Sequence, residues 1–322
     1  MFTTKKSSQG YDLIGDVHGC AQALERLLKA MGYTHSRGCY RHPKRKVIFV
    51  GDIVDRGPRI REALHIVKDM VDQGEAEIVL GNHEYNAMCY CTESKDDRPK
   101  TFLREHNARN HRLIRETLDQ FEDFGGEWAA FLLWFQQIPL FLEKEHFRVV
   151  HACWDEQAIT RFKAMSKDHC LTETLLHASA VEGSFEGRLV DRLTRGTALD
   201  LPGGETILSK DGYVRTVFRT KFWGEGAETY SDVIFQPDPL PSHLEERCLS
   251  AIERQQLLSY TDEERPVFVG HYWMDGEPAP ISSNVACLDY SAVKYGRLVA
   301  YRMDDENVLD QSKFVWVDVV RS

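Results

Sequence analysis

Three short stretches decide the fold of this chain: GDVHG at residues 15–19, GDIVDRG at residues 51–57 and GNHE at residues 81–84. Each stretch directly follows a short run of aliphatic or aromatic residues, at 11–14, 47–50 and 78–80. Such runs, ended at once by glycine and polar residues, are typical of strands in a buried sheet. Because loops that leave one edge of a sheet meet there, we expect the polar residues of the three stretches to form one site.

Helices are predicted between and after these strands. Apolar residues recur at helical spacing over 20–31 and 60–71, and the order strand, helix, strand, helix, strand predicts an α/β core. Further helices are predicted over 102–124 and 127–137, followed by a strand over 147–151 that returns to the same sheet. The remaining predicted strands belong to a second sheet and cover 266–270, 285–290, 296–303 and 314–319.

The residue types in the three stretches indicate a centre for two metal ions. Metal ions lower the pKa of a bound water from about 16 towards about 7 and hold phosphoryl oxygens. Asp16 and His18 are two positions apart, so at an extended strand end they point the same way and suit the first ion. Two ions about 3.5–4 Å apart need an anionic bridge, for which Asp52 is the candidate, and Asn82 would bind the second ion.

The mixture of carboxylate, imidazole and amide ligands also restricts the metal. It suits Mn, Fe, Zn, Co or Ni better than Ca, and among these we expect manganese. Each stretch alone has a plainer interpretation: a turn with a polar loop residue for Asp16 and His18, and a helix N-cap for Asn82. The joint occurrence of the three stretches, each after a strand-like run, favours the metal site.

These stretches resemble the signature of the calcineurin-like metallophosphoesterases, in particular the branch with the Ser/Thr phosphoprotein phosphatases and the bacterial diadenosine tetraphosphatases. The family carries two further histidines at strand ends, which His151 in VVHA (149–152) and His271 in VFVGH (267–271) match. The resemblance covers residues 11–153 and 266–303. It implies an α/β fold in which a sandwich of two sheets is flanked by helices.

The resemblance also implies roles for individual residues. His83 would donate a proton to the leaving oxygen, Asp55 would orient His83, and Arg56 would clamp the phosphate. His151 and His271 would complete the second metal site, although a histidine at a strand end is often a satisfied core residue. The ligands expected in total are Asp16, His18, Asp52, Asn82, His151 and His271.

The last motif departs from part of the family. Many of its esterases and nucleases end this motif in Gly-His-x-His, whereas here Gly270 and His271 are followed by Tyr272 and Trp273. A fourth protein ligand for the first ion is therefore missing, as in the phosphoprotein-phosphatase branch. This difference favours that branch.

Two arginines and one tyrosine are predicted to contact the substrate. Arg215 and Arg219 are four positions apart in the segment 213–222, whose apolar residues nearly alternate, so on a strand they face the same side. Tyr272, next to a predicted ligand, could stack on the substrate. A solvated strand face and aromatic core packing are the alternatives for the arginines and the tyrosine, respectively.

Composition limits the remaining possibilities. A chain of 322 residues fits one domain over 1–322 with a cap or insertion at about 155–265. A net charge of −10 argues against a broad nucleic-acid-binding face. The sequence has no membrane-length apolar stretch, and residues 1–10 lack an apolar signal core, so we expect a soluble cytoplasmic protein without a membrane partner.

The eight cysteines form no Cys-x-x-Cys pair, which argues against a zinc ribbon and a disulfide framework. Cys89 and Cys91 lie near the predicted site. We expect them to be ordinary reduced thiols, with redox sensitivity as the alternative.

Together these features predict a metal-dependent phosphoric-ester hydrolase, in which metal-activated water attacks phosphorus in line without a covalent enzyme intermediate. The predicted substrates are phosphomonoesters, which include phosphorylated small molecules, nucleotides and phosphoproteins. The alternative is a dinucleoside polyphosphatase that cleaves an anhydride between phosphates. An inactive metal-binding scaffold is disfavoured, because it would not need His83 and Asp55.

Overall fold

Two β-sheets pack face to face, and helices cover their outer sides. The computed structural model describes residues 9–95, 101–208, 214–235 and 240–320. Residues 1–8, which the prediction about a signal core concerns, lie outside these ranges. Within them, no helix is long and apolar enough to cross a membrane.

The strands, in chain order, are β1 (Gly10–Ile14), β2 (Thr34–Ser36), β3 (Cys39–Arg41), β4 (Arg45–Phe49), β5 (Ala76–Ile78), β6 (Phe141–Glu143), β7 (Arg148–Val150), β8 (Thr197–Asp200), β9 (Ile207–Leu208), β10 (Val214–Arg215), β11 (Val217–Thr220), β12 (Val267–Val269), β13 (Val285–Cys287), β14 (Asp289–Tyr290), β15 (Arg297–Met303) and β16 (Phe314–Asp318).

The α-helices are α1 (Ala21–Ala30), α2 (Ile60–Asp72), α3 (Asn82–Cys91), α4 (Ala108–Gln120), α5 (Gly125–Phe135), α6 (Glu156–Lys163), α7 (Glu173–Ser179), α8 (Phe185–Arg195), α9 (Tyr230–Val233), α10 (Ser242–Glu245) and α11 (Ala251–Gln256). Short 3₁₀ turns cover Pro202–Gly204, Ala292–Lys294 and Gln311–Lys313.

The first sheet has the strand order β14-β15-β1-β4-β5. Strand β16 pairs with β15 along the edge opposite β1. Strands β1, β4 and β5 are parallel, as the three sequence stretches predict. Strand β15 is antiparallel to β1, with Leu13 opposite Tyr301. The carboxyl ends of β1, β4 and β5 therefore lie at one edge, where the polar stretches begin.

The second sheet has the order β13-β12-β7-β6, and β12 is parallel to both β7 and β13. The sequence-based assignment of strands to sheets was wrong in two places. Strand β7 belongs to the second sheet, and β15 and β16 belong to the first. The predicted strand over 285–290 also divides, because β13 pairs in the second sheet and β14 in the first.

The layer between the sheets explains the alternation of apolar residues along the strands. Leu13 and Ile48 of the first sheet face Val149 and Phe268 of the second in one fully buried cluster. Their neighbours along the strands, such as Ile14, pack on the opposite side in the cluster that also contains the helices. Both faces of each sheet are therefore covered, and the predicted two-sheet sandwich flanked by helices is confirmed.

The predicted helices are present in the structure, but their lengths do not all match the predicted ones. Helices α1 and α2 occupy the predicted segments and bury their apolar stripes on the first sheet. Helix α4 is shorter than the predicted 102–124, because Asn107 caps its beginning by accepting a hydrogen bond from the Asn110 N–H at 2.9 Å.

The region 155–265 begins with α6, α7 and α8 and continues with short strands. Part of it has its own apolar cluster, which includes Leu199, Phe218 and Tyr230. The strand predicted over 213–222 begins at a residue outside the described ranges. Its described part divides into β10, which pairs with β9, and β11, which pairs with β8.

Candidate metal centre

Five strand ends from both sheets deliver the predicted ligands to one place. Asp16 and His18 follow β1, Asp52 follows β4, and Asn82 opens α3 after β5. His151 follows β7, and His271 follows β12 after Gly270. All six side chains are buried. The site therefore spans the edges of both sheets, and a parallel arrangement within each sheet is what gathers the loops.

Asp52 lies at the middle of this group. Its Oδ2 is 3.6 Å from His18 Nε2, 4.0 Å from His83 Nε2 and 3.3 Å from His151 Nε2. The ligand atoms of His18, Asp52 and His83 all lie within 4.8 Å of one another, and so do those of Asp52, His151 and His271. Asp52 is thus the residue shared by two groups that could each hold a metal ion.

Hydrogen bonds fix the orientation of the imidazole rings. His18 Nδ1 donates to the carbonyl oxygen of Val54 at 2.8 Å, and His151 Nδ1 donates to that of Val50 at 2.7 Å. Each ring therefore turns its Nε2 towards Asp52. Such backbone acceptors are the usual outer partners of metal-binding histidines, because they fix both tautomer and direction.

Two buried atoms of the six predicted ligands have no hydrogen-bond partner among the described residues: Asp16 Oδ1 and His271 Nε2. Burial, followed by the nearby Asp289 carboxylate, raises the pKa of Asp16 well above its usual range. Burial and the charge of Arg219 hold the pKa of His271 well below its usual range, which leaves its ring neutral. A buried acceptor without a partner is costly, and a divalent cation bound at each atom would remove this cost.

Asn82 connects the two late histidines. Its Oδ1 is 2.8 Å from His271 Nδ1 and 3.1 Å from His151 Nε2.

Burial alone would raise the pKa of Asp52, but the neighbouring His151 and His83 lower it well below its usual range. The donor set of imidazole, carboxylate and amide groups fits divalent transition-metal ions.

Glycines in the motifs make room for the ligands. A Cβ atom on Gly270 would lie 2.0 Å from Asp16 Oδ1, and one on Gly81 would lie 2.2 Å from Asp52 Oδ1. The backbone of His18 and Asp52 is also strained, with φ angles of 42° and 54°. Strain of this kind persists where surrounding contacts fix the loop, and it is common at functional sites.

Glu84 supplies such contacts, although the sequence analysis gave it no role. Its buried carboxylate accepts hydrogen bonds from the backbone N–H groups of Ile53 (2.7 Å), Asp52 (2.9 Å), Val54 (3.2 Å) and Gly81 (3.2 Å). Its position three residues after Gly81, at the start of a helix, is the capping-box spacing and was visible in the sequence. Glu84 therefore ties the second stretch to the third.

His83 and Asp55 form the predicted pair. His83 Nδ1 donates to Asp55 Oδ2 at 2.6 Å, and Arg56 Nη2 donates to His83 Nε2 at 2.9 Å. Arg56 Nη1 also donates to His18 Nε2 at 3.2 Å. Burial and the charge of Arg56 lower the pKa of His83 to about 3, which opposes the protonated form that a general acid needs. An anionic substrate that drew Arg56 away would act in the opposite direction.

Thr117 completes this chain of hydrogen bonds and was missed by the sequence analysis. Its hydroxyl donates to Asp55 Oδ1 and accepts from the Asp55 N–H at 3.1 Å. Burial raises the pKa of Asp55 to about 8, and the Thr117 hydrogen bond opposes this shift. Thr117 lies on α4, more than sixty residues from Asp55, and no local pattern marks it.

The three predicted substrate contacts differ in their surroundings. The Arg219 charge is close enough to lower the pKa of His271, and burial together with Arg215 lowers the pKa of Arg219. Tyr272 is only 3% exposed and packs against Trp223 and Phe235 with ring centroids 5.4 and 5.3 Å away. These contacts are the ones that the aromatic-packing alternative for Tyr272 predicts.

The cysteines near the site are not activated. All eight cysteines are free. Cys89 is buried, and burial raises the pKa of its thiol to about 11. Burial also raises the pKa of Cys91. Both therefore favour the unreactive thiol form at neutral pH.

Residues 12–172, half of the chain, match the family model of the calcineurin-like phosphoesterases. The chain belongs to this family. Curated relatives called bis(5'-nucleosyl)-tetraphosphatase PrpE [asymmetrical] occur in Oceanobacillus iheyensis, at 30% identity over 178 residues, and in Halalkalibacterium halodurans, at 46% over 74 residues.

These matches are partial. They cover 54% and 23% of this calcineurin-like phosphoesterase and 66% and 30% of the respective relatives. A solved structure titled putative diadenosine tetraphosphatase covers 98% of this chain and 96% of its own, at 15% identity and a TM-score of 0.45. A protein serine/threonine phosphatase from Saccharomyces cerevisiae covers 99% and 82%, at 14% identity and a TM-score of 0.49. Both structural likenesses are distant.

Proposed function

We propose that this phosphoesterase hydrolyses phosphoric esters at a two-cation centre bridged by Asp52. The observation that carries the proposal is the position of Asp52 Oδ2, 3.3–4.0 Å from the Nε2 atoms of three histidines. Asp52 belongs to both groups of potential ligands, and a carboxylate shared by two sites is what two close cations require.

We assign the first cation to Asp16, His18 and Asp52, and the second to Asp52, Asn82, His151 and His271. The partnerless Asp16 Oδ1 and His271 Nε2 support this assignment. When bound, the cations would lower the pKa of the attacking water and hold the phosphoryl oxygens. Manganese is the ion we expect, because nitrogen ligands disfavour magnesium, which prefers oxygen and retains its waters.

Arg56 would bind the phosphoryl group. Its guanidinium donates to the ring nitrogens of His18 and His83, so it already points at the centre. A guanidinium fork matches two phosphate oxygens, and a phosphate is a far stronger acceptor than a neutral imidazole. We therefore expect Arg56 to leave these rings when the substrate binds. Arg215 and Arg219 would add positive charge on the side of His271.

His83 would then protonate the leaving oxygen. In the structure Arg56 holds its Nε2 as an acceptor, and Asp55 holds its Nδ1 as a donor. Transfer of Arg56 to the phosphate frees Nε2, and the incoming negative charge raises the pKa of the ring, so Nε2 would take up a proton from solvent and then donate it to the leaving oxygen. Asp55 keeps the ring oriented through this change, as a carboxylate does for other catalytic imidazoles. His83 also lies within reach of the first cation site, so a ligand role is the competing assignment.

Dinucleoside polyphosphates are the second candidate substrates. The relatives at 30% and 46% identity carry the name of a bis(5'-nucleosyl)-tetraphosphatase. The same centre would cleave an anhydride, because the reacting group is again a phosphoryl group. We further propose one domain over 1–322 with a cap at about 155–265, and a cytoplasmic location, for which eight free thiols are typical.

The test is metal-dependent hydrolysis across substrate classes. Protein dialysed against a chelator is supplied with Mn, Co, Ni or Mg and assayed on p-nitrophenyl phosphate, its bis ester, a phosphopeptide and diadenosine tetraphosphate. We expect no activity without metal, restoration by Mn, Co or Ni, and poor restoration by Mg. Arg188→Gln, an exposed change on α8, serves as a control. Full activity in excess chelator would contradict the proposal.

A further inference from the structure

Two arginines outside the metal-binding stretches share one acceptor beside the centre. Arg104 Nη1 donates to Asn86 Oδ1 at 2.8 Å, and Arg195 Nη2 donates to the same oxygen. Asn86 is buried on α3, Arg195 ends α8, and Arg104 precedes α4. Three separate segments of the chain therefore bring two guanidinium groups to one amide oxygen.

This cluster lies next to the candidate metal centre. Asn86 is four residues after Asn82 on the same helix, so both side chains leave the same face, about 6 Å apart along the axis. The two arginines thus lie one helical turn beyond a predicted ligand of the second cation.

Among the described residues, little negative charge compensates the positive charge of this cluster. Within the described part of the chain, Arg104 has no carboxylate partner, and its pKa is lowered by burial and by Arg195. Among the described residues, Arg195 forms its ion pair with Asp191, whose side chain is 63% exposed, so solvent screens that pair. A neutral amide oxygen cannot balance two cations. Protein stability alone does not require such a cluster, because like charges close together repel.

The surroundings of Arg195 also leave it accessible to a ligand. Its side chain is 31% exposed and lies with its guanidinium carbon 5.7 Å from the centroid of the Tyr85 ring, which stiffens it without neutralising it. Planar forks of this kind bind phosphate oxygens two at a time. The cluster therefore has the charge, the rigidity and the access of an anion site.

We propose that Arg104 and Arg195, held by Asn86, form a second phosphate subsite. It binds a phosphate group one or two positions along a phosphate chain from the phosphoryl group at the metal centre. This inference rests on the proposed function for the position of the reacting phosphoryl group. It favours substrates that carry a chain of phosphates over simple monoesters, because a monoester has no second phosphate group that could reach a subsite one helical turn from the metal centre.

The experiment measures binding with two inorganic probes, orthophosphate and tripolyphosphate. Isothermal titration calorimetry is done on manganese-loaded protein, with manganese in excess over the probe so that the chain of phosphates does not strip the ions. We expect Arg104→Gln and Arg195→Gln each to weaken tripolyphosphate binding by about 10- to 100-fold, as for a lost hydrogen bond to a charged group. The loss of orthophosphate affinity in each variant should be at least tenfold smaller than its loss of tripolyphosphate affinity.

Two further variants complete the test. Arg188→Gln removes an exposed arginine from the same helix and should change neither affinity. Asn86→Asp keeps both arginines but gives them a carboxylate, so it should weaken tripolyphosphate binding at least tenfold even if a glutamine variant fails to fold. Unchanged tripolyphosphate affinity in Arg104→Gln, Arg195→Gln and Asn86→Asp, or equal losses for both probes, overturns the subsite. Selective binding without hydrolysis of any ester would overturn only the proposed function.

Discussion

Replacement of Thr117 by valine tests the hydrogen-bond chain from α4 to His83. Valine has nearly the shape of threonine and the same branching at Cβ, so helix packing is retained. The change removes the hydroxyl that donates to Asp55 Oδ1 and accepts from the Asp55 N–H. Asp55 then keeps its hydrogen bond to His83 but loses the two hydrogen bonds with Thr117 that hold Asp55 itself in place.

The structure gives the expected size of the effect. A hydrogen bond contributes about 0.5–1.5 kcal/mol, and a buried N–H left without an acceptor costs about 1–3 kcal/mol. Because the two effects share one hydroxyl, we expect the free energy of unfolding to fall by about 2–4 kcal/mol. A typical total is about 5–15 kcal/mol, so the variant remains folded.

The catalytic effect depends on the leaving group. Loss of an outer-shell partner typically costs about 10- to 100-fold, so we expect kcat on an alkyl phosphate to fall by that factor. An aryl phosphate, whose departure needs little protonation, should lose much less. Urea unfolding measures the stability change, initial rates on both substrates measure kcat, and metal analysis checks that both ions stay bound.

Thr117→Ser is the matched control, because it keeps the hydroxyl and removes only a methyl group. It should retain most of the activity on the alkyl phosphate. The reasoning is refuted if serine is as slow as valine, or if valine slows both substrates equally. Loss of metal in Thr117→Val would instead show that α4 supports the ligands and not His83.

The remaining predictions concern metal content, the proton donor and acid stability. Asp52→Asn should lose more metal per chain after dialysis than Asp16→Asn, because Asp52 serves both ions; equal metal contents would remove Asp52 from the bridge. His83→Asn should keep both ions and slow hydrolysis of an alkyl phosphate by about 10²–10⁴-fold, with a smaller effect on an aryl phosphate. Asn82→Ala should instead lose the second ion and slow hydrolysis of both substrates. Loss of metal in His83→Asn would show that His83 is a ligand. Burial raises the pKa of Glu143, but hydrogen bonds from two basic side chains outweigh this and lower it, so its stabilising contribution is present at neutral pH and lost as the pH falls through the lowered pKa. The difference in unfolding free energy between wild type and Glu143→Gln should therefore shrink on acidification, and a growing difference would contradict the assignment.

The sequence by itself determined the class of fold, and it singled out six residues that the structure brings to one place. Parallel strands that end in Gly-Asp or Gly-Asn leave their polar loops at one sheet edge, so local pattern and chain order were enough to gather Asp16, Asp52 and Asn82. His151 and His271 were predicted from the family resemblance, which places two histidines at strand ends, and each does follow a short apolar strand. The sequence shows the glycines of the motifs but not why they are needed. The structure explains Gly270, because a Cβ atom added there would lie 2.0 Å from Asp16 Oδ1.

Tertiary structure alone decided which strands pair and which distant groups support the site. Alternation of apolar residues marks β7 and β15 as strands, but it carries no information about their neighbours, so the sheets were assigned incorrectly. Thr117 and the arginines at Asn86 act through contacts between segments far apart in the chain. A hydrogen bond across sixty residues leaves no periodic trace, because it constrains two positions in space and not a repeat along the sequence.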